Sequence, residues 1–288
     1  MRRTLNPPLV RLLLAVTVLV VGACDGSGNA RQSTQSTGQP AEQASSTSVL
    51  TKFAQEKVLR IGFSGYPPFL NVDPNTKQPV DGFSVELIRS IVQQWDSTVT
   101  IQWIPTNWTN VRVDLIAGKF DLVVEPVFQT IPRAAVVDFS RPYSYFGYAV
   151  GLVRINDNRF DAIEDLNSPE VRIAVMQGGS AHEYVQKNLP RATNLKVLPT
   201  GNVESSLDEV LLSRVDITLA DYHTIKRYID SHPGRVRAVF VDPPPGRVAA
   251  GFMFRQDDYR WASFLNTALQ FMETSGEIRR LKEKYNVE

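Results

Sequence analysis

From Lys57 onward the chain alternates two kinds of segment, and this alternation limits its fold more than any other feature. VLRIGF is a β-rich run, SGYPPF is turn-forming, and VELIRSIVQQW carries apolar residues at helical spacing. VTIQWI then reads as a strand, VRVDLIAG as a helix ending near Gly118, and FDLVVEPVF as a buried strand. A second series shares this outline without repeating its sequence: YAVGLVR, VRIAVMQ, GGSAHEYVQKNL, LKVLP, VESSLDEVLLSR, VDITLAD, YHTIKRYID and VRAVFV. The end, RWASFLNTALQFMETSGEIRRLKEKY, reads as two helices split around Ser275-Gly276. Strands alternating with helices at these lengths predict an α/β fold of parallel sheets covered by helices. At 288 residues and 43% hydrophobic content, the chain can fill one large core or two smaller ones.

The first 23 residues are different. Arg2, Arg3 and Arg11 precede LLLAVTVLVVGA, a run too short to span a bilayer comfortably and suited to the core of an export signal. Val21-Gly22-Ala23-Cys24 sets small residues before the only cysteine and resembles a bacterial lipobox. That resemblance implies an acylated Cys24 as the mature N-terminus and anchoring to the outer face of the cytoplasmic membrane, since each buried methylene contributes about 0.8 kcal/mol. Asp25 would favour retention there in a host with two membranes. The plainer alternative is an export signal with a chance cysteine nearby. Residues 24 to 55 are then the lipidated cysteine and a flexible tether, because DGSGNARQSTQSTGQPAEQASSTS has almost no large apolar side chain.

Removing residues 1 to 23 takes three arginines away and leaves 28 basic against 30 acidic residues, near −2. Such a balance gives no support for a nucleic-acid partner. With its one cysteine lipidated, the folded body has no disulfide. His182, His223 and His232 show no zinc-site spacing, so neither a metal nor a cofactor is expected.

Three blocks occur in order: Leu59 to Phe69 (LRIG…YPPF), Gly82-Phe83-Ser84-Val85-Glu86-Leu87, and Thr130 and Arg133 followed by Val137 to Tyr143 (VDFSRPY). With the terminal helix pair, they resemble the extracytoplasmic solute-binding proteins of family 3, the polar amino-acid binders of ABC transporters. The resemblance runs from about Val58 to Tyr285. It implies a type II periplasmic-binding-protein fold, two α/β lobes joined by two crossover segments. Lobe one would be 56–142 plus 250–288, lobe two 148–244, and the hinges 143–147 and 245–249. Gly147 and Gly246 suit a hinge because glycine tolerates large changes of φ and ψ. Pro243-Pro244-Pro245 would stiffen the second crossover. Tyr143, Tyr145, Phe146 and Tyr148 are expected to pack the first.

Arg133 poses the sharpest chemical question. An arginine in the first turn of a helix opposes the helix dipole, so its placement after FQTIP calls for a negative partner. Asp138 would supply one on the surface; alternatively, strand end and helix start form an anion site. The resemblance implies the latter, with Arg133 holding the ligand α-carboxylate by charge-assisted bonds. Gly179 and Ser180, in QGGS, would bring the second lobe to the same carboxylate, unless Ser180 is a plain N-cap. The resemblance places Asp221 on the α-ammonium; its ordinary alternative is capping YHTIKRYID. Tyr66 and Trp103 align with aromatic residues that sandwich ligand side chains, with Trp108 a weaker choice. Thr130 belongs to the matched block. Two departures weaken a standard amino-acid site: Phe128 stands where a hydroxyl is usual, and Glu125-Pro126 replaces small residues, leaving Glu125 able to face the cleft and invite a cationic group.

These features imply a monomer that closes on a small amino acid or related carboxylate and delivers it to an ABC permease, with no turnover. Two alternatives stand beside it. One is a ligand-sensing module for a membrane receptor. The other is an enzyme like the cyclohexadienyl dehydratases, with Glu125 or His182 as general acid.

Overall fold

The computed structural model describes residues 47–199 and 204–287. The expected export signal, Cys24 and most of the tether lie outside the described residues. The first half comprises α1 (Val49–Glu56), β1 (Val58–Phe63), β2 (Asn71–Val72), β3 (Pro79–Asp81), α2 (Phe83–Trp95), β4 (Thr100–Pro105), α3 (Val111–Ile116), β5 (Leu122–Phe128), α4 (Ile131–Ala134), β6 (Asp138–Phe139) and β7 (Ser144–Tyr148). A second group follows: β8 (Val150–Arg154), β9 (Ile173–Met176), α5 (Ser180–Asn188), β10 (Leu195–Leu198), α6 (Glu204–Leu211), β11 (Ile217–Ala220), α7 (Tyr222–Ser231) and β12 (Val236–Val239). The chain then returns through β13 (Gly246–Phe254) to α8 (Tyr259–Thr274) and α9 (Glu277–Tyr285).

Two sheets result. One has the order β4-β1-β5-β13-β6, with β7 also on β13; the other runs β10-β9-β11-β8-β12. The expectation of wholly parallel sheets needs correction. β1, β4 and β5 are parallel, as are β9, β10 and β11, but β13 is antiparallel to β5 and β8 is antiparallel to both β11 and β12. Strands entered by crossing from one sheet to the other arrive from the opposite end and therefore run the other way.

Each sheet is apolar on both faces, as helix-covered strands must be. In the first sheet, Leu59, Ile61, Leu122 and Phe252 pack under α1, α2, α8 and α9, while Val123, Val127 and Met253 face α3. In the second, Ile173 and Val175 face α5, whereas Leu152 and Ala174 face α6 and α7. Buried aspartates tie strand ends to loops. Asp121 pairs with Arg60 and Arg255, both at 2.8 Å, and Asp216 pairs with Arg172 at 2.8 Å and Arg159 at 2.9 Å.

The tether expected to reach residue 55 stops earlier, because Val49–Glu56 is helical. Phe53 is 2% exposed, stacks on Trp95 at 4.4 Å and meets Trp261 edge-on at 5.8 Å. Asp258 joins α1 to α8: its carboxylate accepts from the Ser48 hydroxyl and Val49 amide, both at 2.6 Å, and from the Trp261 amide at 3.0 Å.

The crossover segments pair with each other. Gly246 to Ala250 of β13 run antiparallel to Ser144–Tyr148 of β7. Neither Gly147 nor Gly246 has a positive φ here. They allow close approach: a Cβ on Gly147 would lie 2.8 Å from Pro244, and one on Gly246 2.5 Å from the Tyr148 ring. Of the four crossover aromatics, Tyr143 and Phe146 are buried, but Tyr145 points outward and is 60% exposed. Strand alternation puts it on the face opposite Phe146.

Candidate functional site

Parallel strands of both sheets end at one cavity of about 840 Å³. Ser64 to Pro67 follow β1, Pro105 to Trp108 end and follow β4, and Pro126 and Phe128 close β5. From the other sheet come Met176, Gly179 and Ser180 around the end of β9, and Asp221 just after β11. Crevices outside the carboxyl ends of strands are where open α/β sheets bind ligands, because backbone donors and loop side chains converge there.

Arg133 lines this cavity and is half-buried. Its Nη1 donates to the Phe128 carbonyl at 3.2 Å, and it has no ion pair among the described residues. Asp138 is therefore not its partner. Loss of solvent pulls the guanidinium pKa down; Glu183 opposes that and Arg112 adds to it. The helical AAVV expected after Arg133 is absent: α4 is a single turn ending at Ala134, so its dipole adds little and the guanidinium itself carries the positive charge.

Asp221 lines the same cavity from the second sheet. It caps α7, accepting from the Thr224 amide at 3.0 Å and the Thr224 hydroxyl at 2.7 Å, and it also accepts from the Tyr66 hydroxyl at 2.7 Å. Capping and cavity lining coexist in one side chain. Burial, then the neighbouring Asp221 carboxylate, pushes the Tyr66 phenol pKa well up, so it stays a donor. Gly178 takes φ 68, a left-handed turn that glycine adopts without strain, and Gly179 becomes the N-cap of α5. Ser180 is thus the first residue inside α5 and not its cap, and it faces the cavity.

Three assignments change. Trp103 does not line the cavity; it packs edge-on against Phe63 at 6.2 Å, and Trp108 takes the wall position, edge-on to Tyr66 at 6.1 Å. The parity of β4 turns Trp103 and Ile101 onto the core under α2. Thr130 does not line the cavity either, and its buried hydroxyl has no hydrogen-bond partner among the described residues. Glu125 is fully buried behind the wall, where it accepts from the Ser64 amide at 3.0 Å and hydroxyl at 3.2 Å. β5 is covered on both faces, so Glu125 supports the loop after β1 and cannot invite a cationic group into the cleft. Phe128 does line the cavity, tilted against Phe146 at 5.2 Å.

Burial pushes the Glu125 pKa up to about 7, against the lowering effect of its bonds to Ser64. Because the folded value is raised, the native state holds a proton that the unfolded state has lost, and stability falls as pH rises from about 4.5 to about 7. Glu125→Gln should remove this slope, up to roughly 3 kcal/mol. Urea denaturation of both proteins from pH 4.5 to 8 checks it; parallel curves would refute a buried titrating carboxyl.

Residue patterns gave no sign of several cavity residues. Lys77, in the β2–β3 turn, carries no motif. Thr224 was readable as the third residue of a helix whose cap is Asp221, and Arg227 one turn further on. Arg227 reaches the Pro67 carbonyl at 3.1 Å and Glu204 at 3.0 Å, a second contact between the two sheet groups beside Tyr66–Asp221.

Known proteins resemble this chain in sequence and fold. The solved ancestral amino acid-binding protein AncCDT-1, described as a precursor of cyclohexadienyl dehydratase, matches with a TM-score of 0.71 and 28% identity, covering 83% of this chain and 99% of that one. A probable amino-acid ABC transporter-binding protein of Haemophilus influenzae is 23% identical over 81% of this chain and 86% of its own length. The cyclohexadienyl dehydratase of Pseudomonas aeruginosa is 22% identical over 82% and 85%, respectively. The architecture is the type II periplasmic-binding-protein fold, two α/β lobes with a cleft between them. Residues 59–288 match the model of one family throughout, and the chain accordingly belongs to the bacterial extracellular solute-binding proteins, family 3.

Proposed function

We propose that this protein captures an amino acid, or a small carboxylate like one, between its lobes and presents it to an ABC permease. One observation carries the reading: Arg133 and Asp221, of opposite charge and from different sheets, line the same cavity. Arg133 takes the α-carboxylate with Ser180 and the Gly179 region, Asp221 takes the α-ammonium, and Tyr66, Trp108 and Phe128 flank the side chain. Only a closed cleft satisfies both ends of a zwitterion, so binding drives closure. Lobe one is 56–142 plus 250–288 with α1 added, lobe two is 148–244, and the paired β7 and early β13 form the hinge. Lipid on Cys24 holds the body at the outer face of the cytoplasmic membrane.

Relatedness to a dehydratase raises catalysis as a second reading. Glu125 lies behind the cavity wall, and His182 is outside the lining, its Nδ1 accepting from the Gly178 amide at 3.3 Å. With neither proposed acid at the cavity, binding without turnover fits better.

Thermal-shift screening against amino acids, 2-oxo acids and dipeptides tests the proposal. A ligand at 100 times its dissociation constant should add about 2.7 kcal/mol of stability. Deaminated analogues should bind at least about tenfold more weakly through loss of the Asp221 contact. Stabilisation by neither an amino acid nor a 2-oxo acid, or turnover of prephenate or arogenate, would refute it.

A further inference from the structure

Five charged side chains line the cavity: Lys77, Arg133, Glu204, Asp221 and Arg227. Arg227 and Glu204 answer each other at 3.0 Å. Asp221 already accepts three hydrogen bonds, two from Thr224 and one from Tyr66. A carboxylate offers about four acceptor positions, so Asp221 retains room for one ammonium and little more. Arg133 and Lys77 have no ion pair among the described residues. Glu183 and Arg112 are the charges acting on Arg133. Asp73 is the acid near Lys77, and its Oδ1 is engaged by the amides of Asn75 and Thr76 at 2.8 and 2.7 Å.

The lining thus carries three cations and two anions, and the two cations without an ion pair among the described residues sit apart, Arg133 in α4 after β5 and Lys77 in the β2–β3 turn. Once Asp221 meets an α-ammonium, the one other carboxylate of the lining, Glu204, is already paired with Arg227. Partial desolvation makes charge matching inside a cleft count for more than on an open surface.

We infer that the ligand is an amino acid with a second carboxylate: its α-carboxylate lies on Arg133, its α-ammonium on Asp221, and its distal carboxylate toward Lys77. This rests on the amino-acid reading above. Tyr66, Trp108 and Leu70 supply apolar wall for the connecting methylenes.

Calorimetric titration of the full chain with L-glutamate, L-2-aminoadipate, L-glutamine and L-arginine tests it. One of the two dicarboxylates should bind at least about tenfold tighter than glutamine or arginine. That preference should weaken at high salt and fall within about threefold in Lys77→Ala, whose melting temperature should be unchanged because Lys77 is exposed. Glutamine or arginine binding as tightly as both dicarboxylates would overturn the inference while leaving the amino-acid reading in place. An undiminished preference in Lys77→Ala would overturn it as well. Binding of none of the four, together with binding of a 2-oxo acid, would remove the amino-acid reading itself.

Discussion

Arg133→Ala should weaken the best ligand by at least about 100-fold, equivalent to ~2.7 kcal/mol, while leaving the unliganded fold almost unchanged. The two halves of this result have different causes. A guanidinium bonded to a carboxylate in a partly desolvated cleft makes charge-assisted bonds worth about 1.5–3 kcal/mol each, and alanine replaces none of them. Within the protein, Arg133 makes one bond to the Phe128 carbonyl and no ion pair among the described residues, and desolvation already works against its charge. Removing it should therefore change unfolding free energy by less than about 1 kcal/mol. Calorimetric titration and urea denaturation on one preparation measure both quantities. A purely structural arginine would give the reverse pattern, lost stability with retained binding, and that pattern would exclude Arg133 from recognition.

The largest stability effect should come from a residue outside the site. Phe53→Ala should cost about 3–5 kcal/mol, the usual range for deleting a buried phenyl ring. Phe53 is 2% exposed, and its ring stands between Trp95 of α2 and Trp261 of α8. For a body of this size the melting temperature should drop by roughly 10 °C. Ser48→Ala, which removes one hydroxyl from Asp258 and the cap on the Leu50 amide, should cost less, about 1–2 kcal/mol. A loss below about 1 kcal/mol for Phe53→Ala would mean that α1 is not part of the folded body.

Much of the architecture could be read from periodicity. β1, β4, β5, β9 and β11, and the helices α2, α5, α7, α8 and α9, fall on the segments that their apolar spacing marked. The returning strand β13 was harder to place, because antiparallel insertion between β5 and β6 depends on contacts distant in sequence. α1 escaped notice because a short helix with Val49 and Phe53 as its buried residues is stabilised by its neighbours and not by its own composition. At the site, Arg133, Asp221, Ser180, Gly179, Tyr66 and Phe128 come to one cavity. Trp103 was misplaced because Ile101, Trp103 and Ile104 are all apolar, which hides the facing of β4. Glu125 was misplaced because LVVEPVF is buried along nearly its whole length, so alternation could not show which way the acid pointed.

The position of β13 also dictates an order of assembly. Strands β8 to β12 come from one uninterrupted stretch of chain and can pair as soon as residue 239 is available. The other sheet has a gap between β5 and β6 that only residues 246–254 fill, so it stays divided until nearly the last part of the polypeptide has been delivered. α1, α2 and α3 can cover its earlier strands, but the cover over the completed sheet waits for this segment and then for α8 and α9. A chain cut short before β13 would possess one finished half and one that can never be completed.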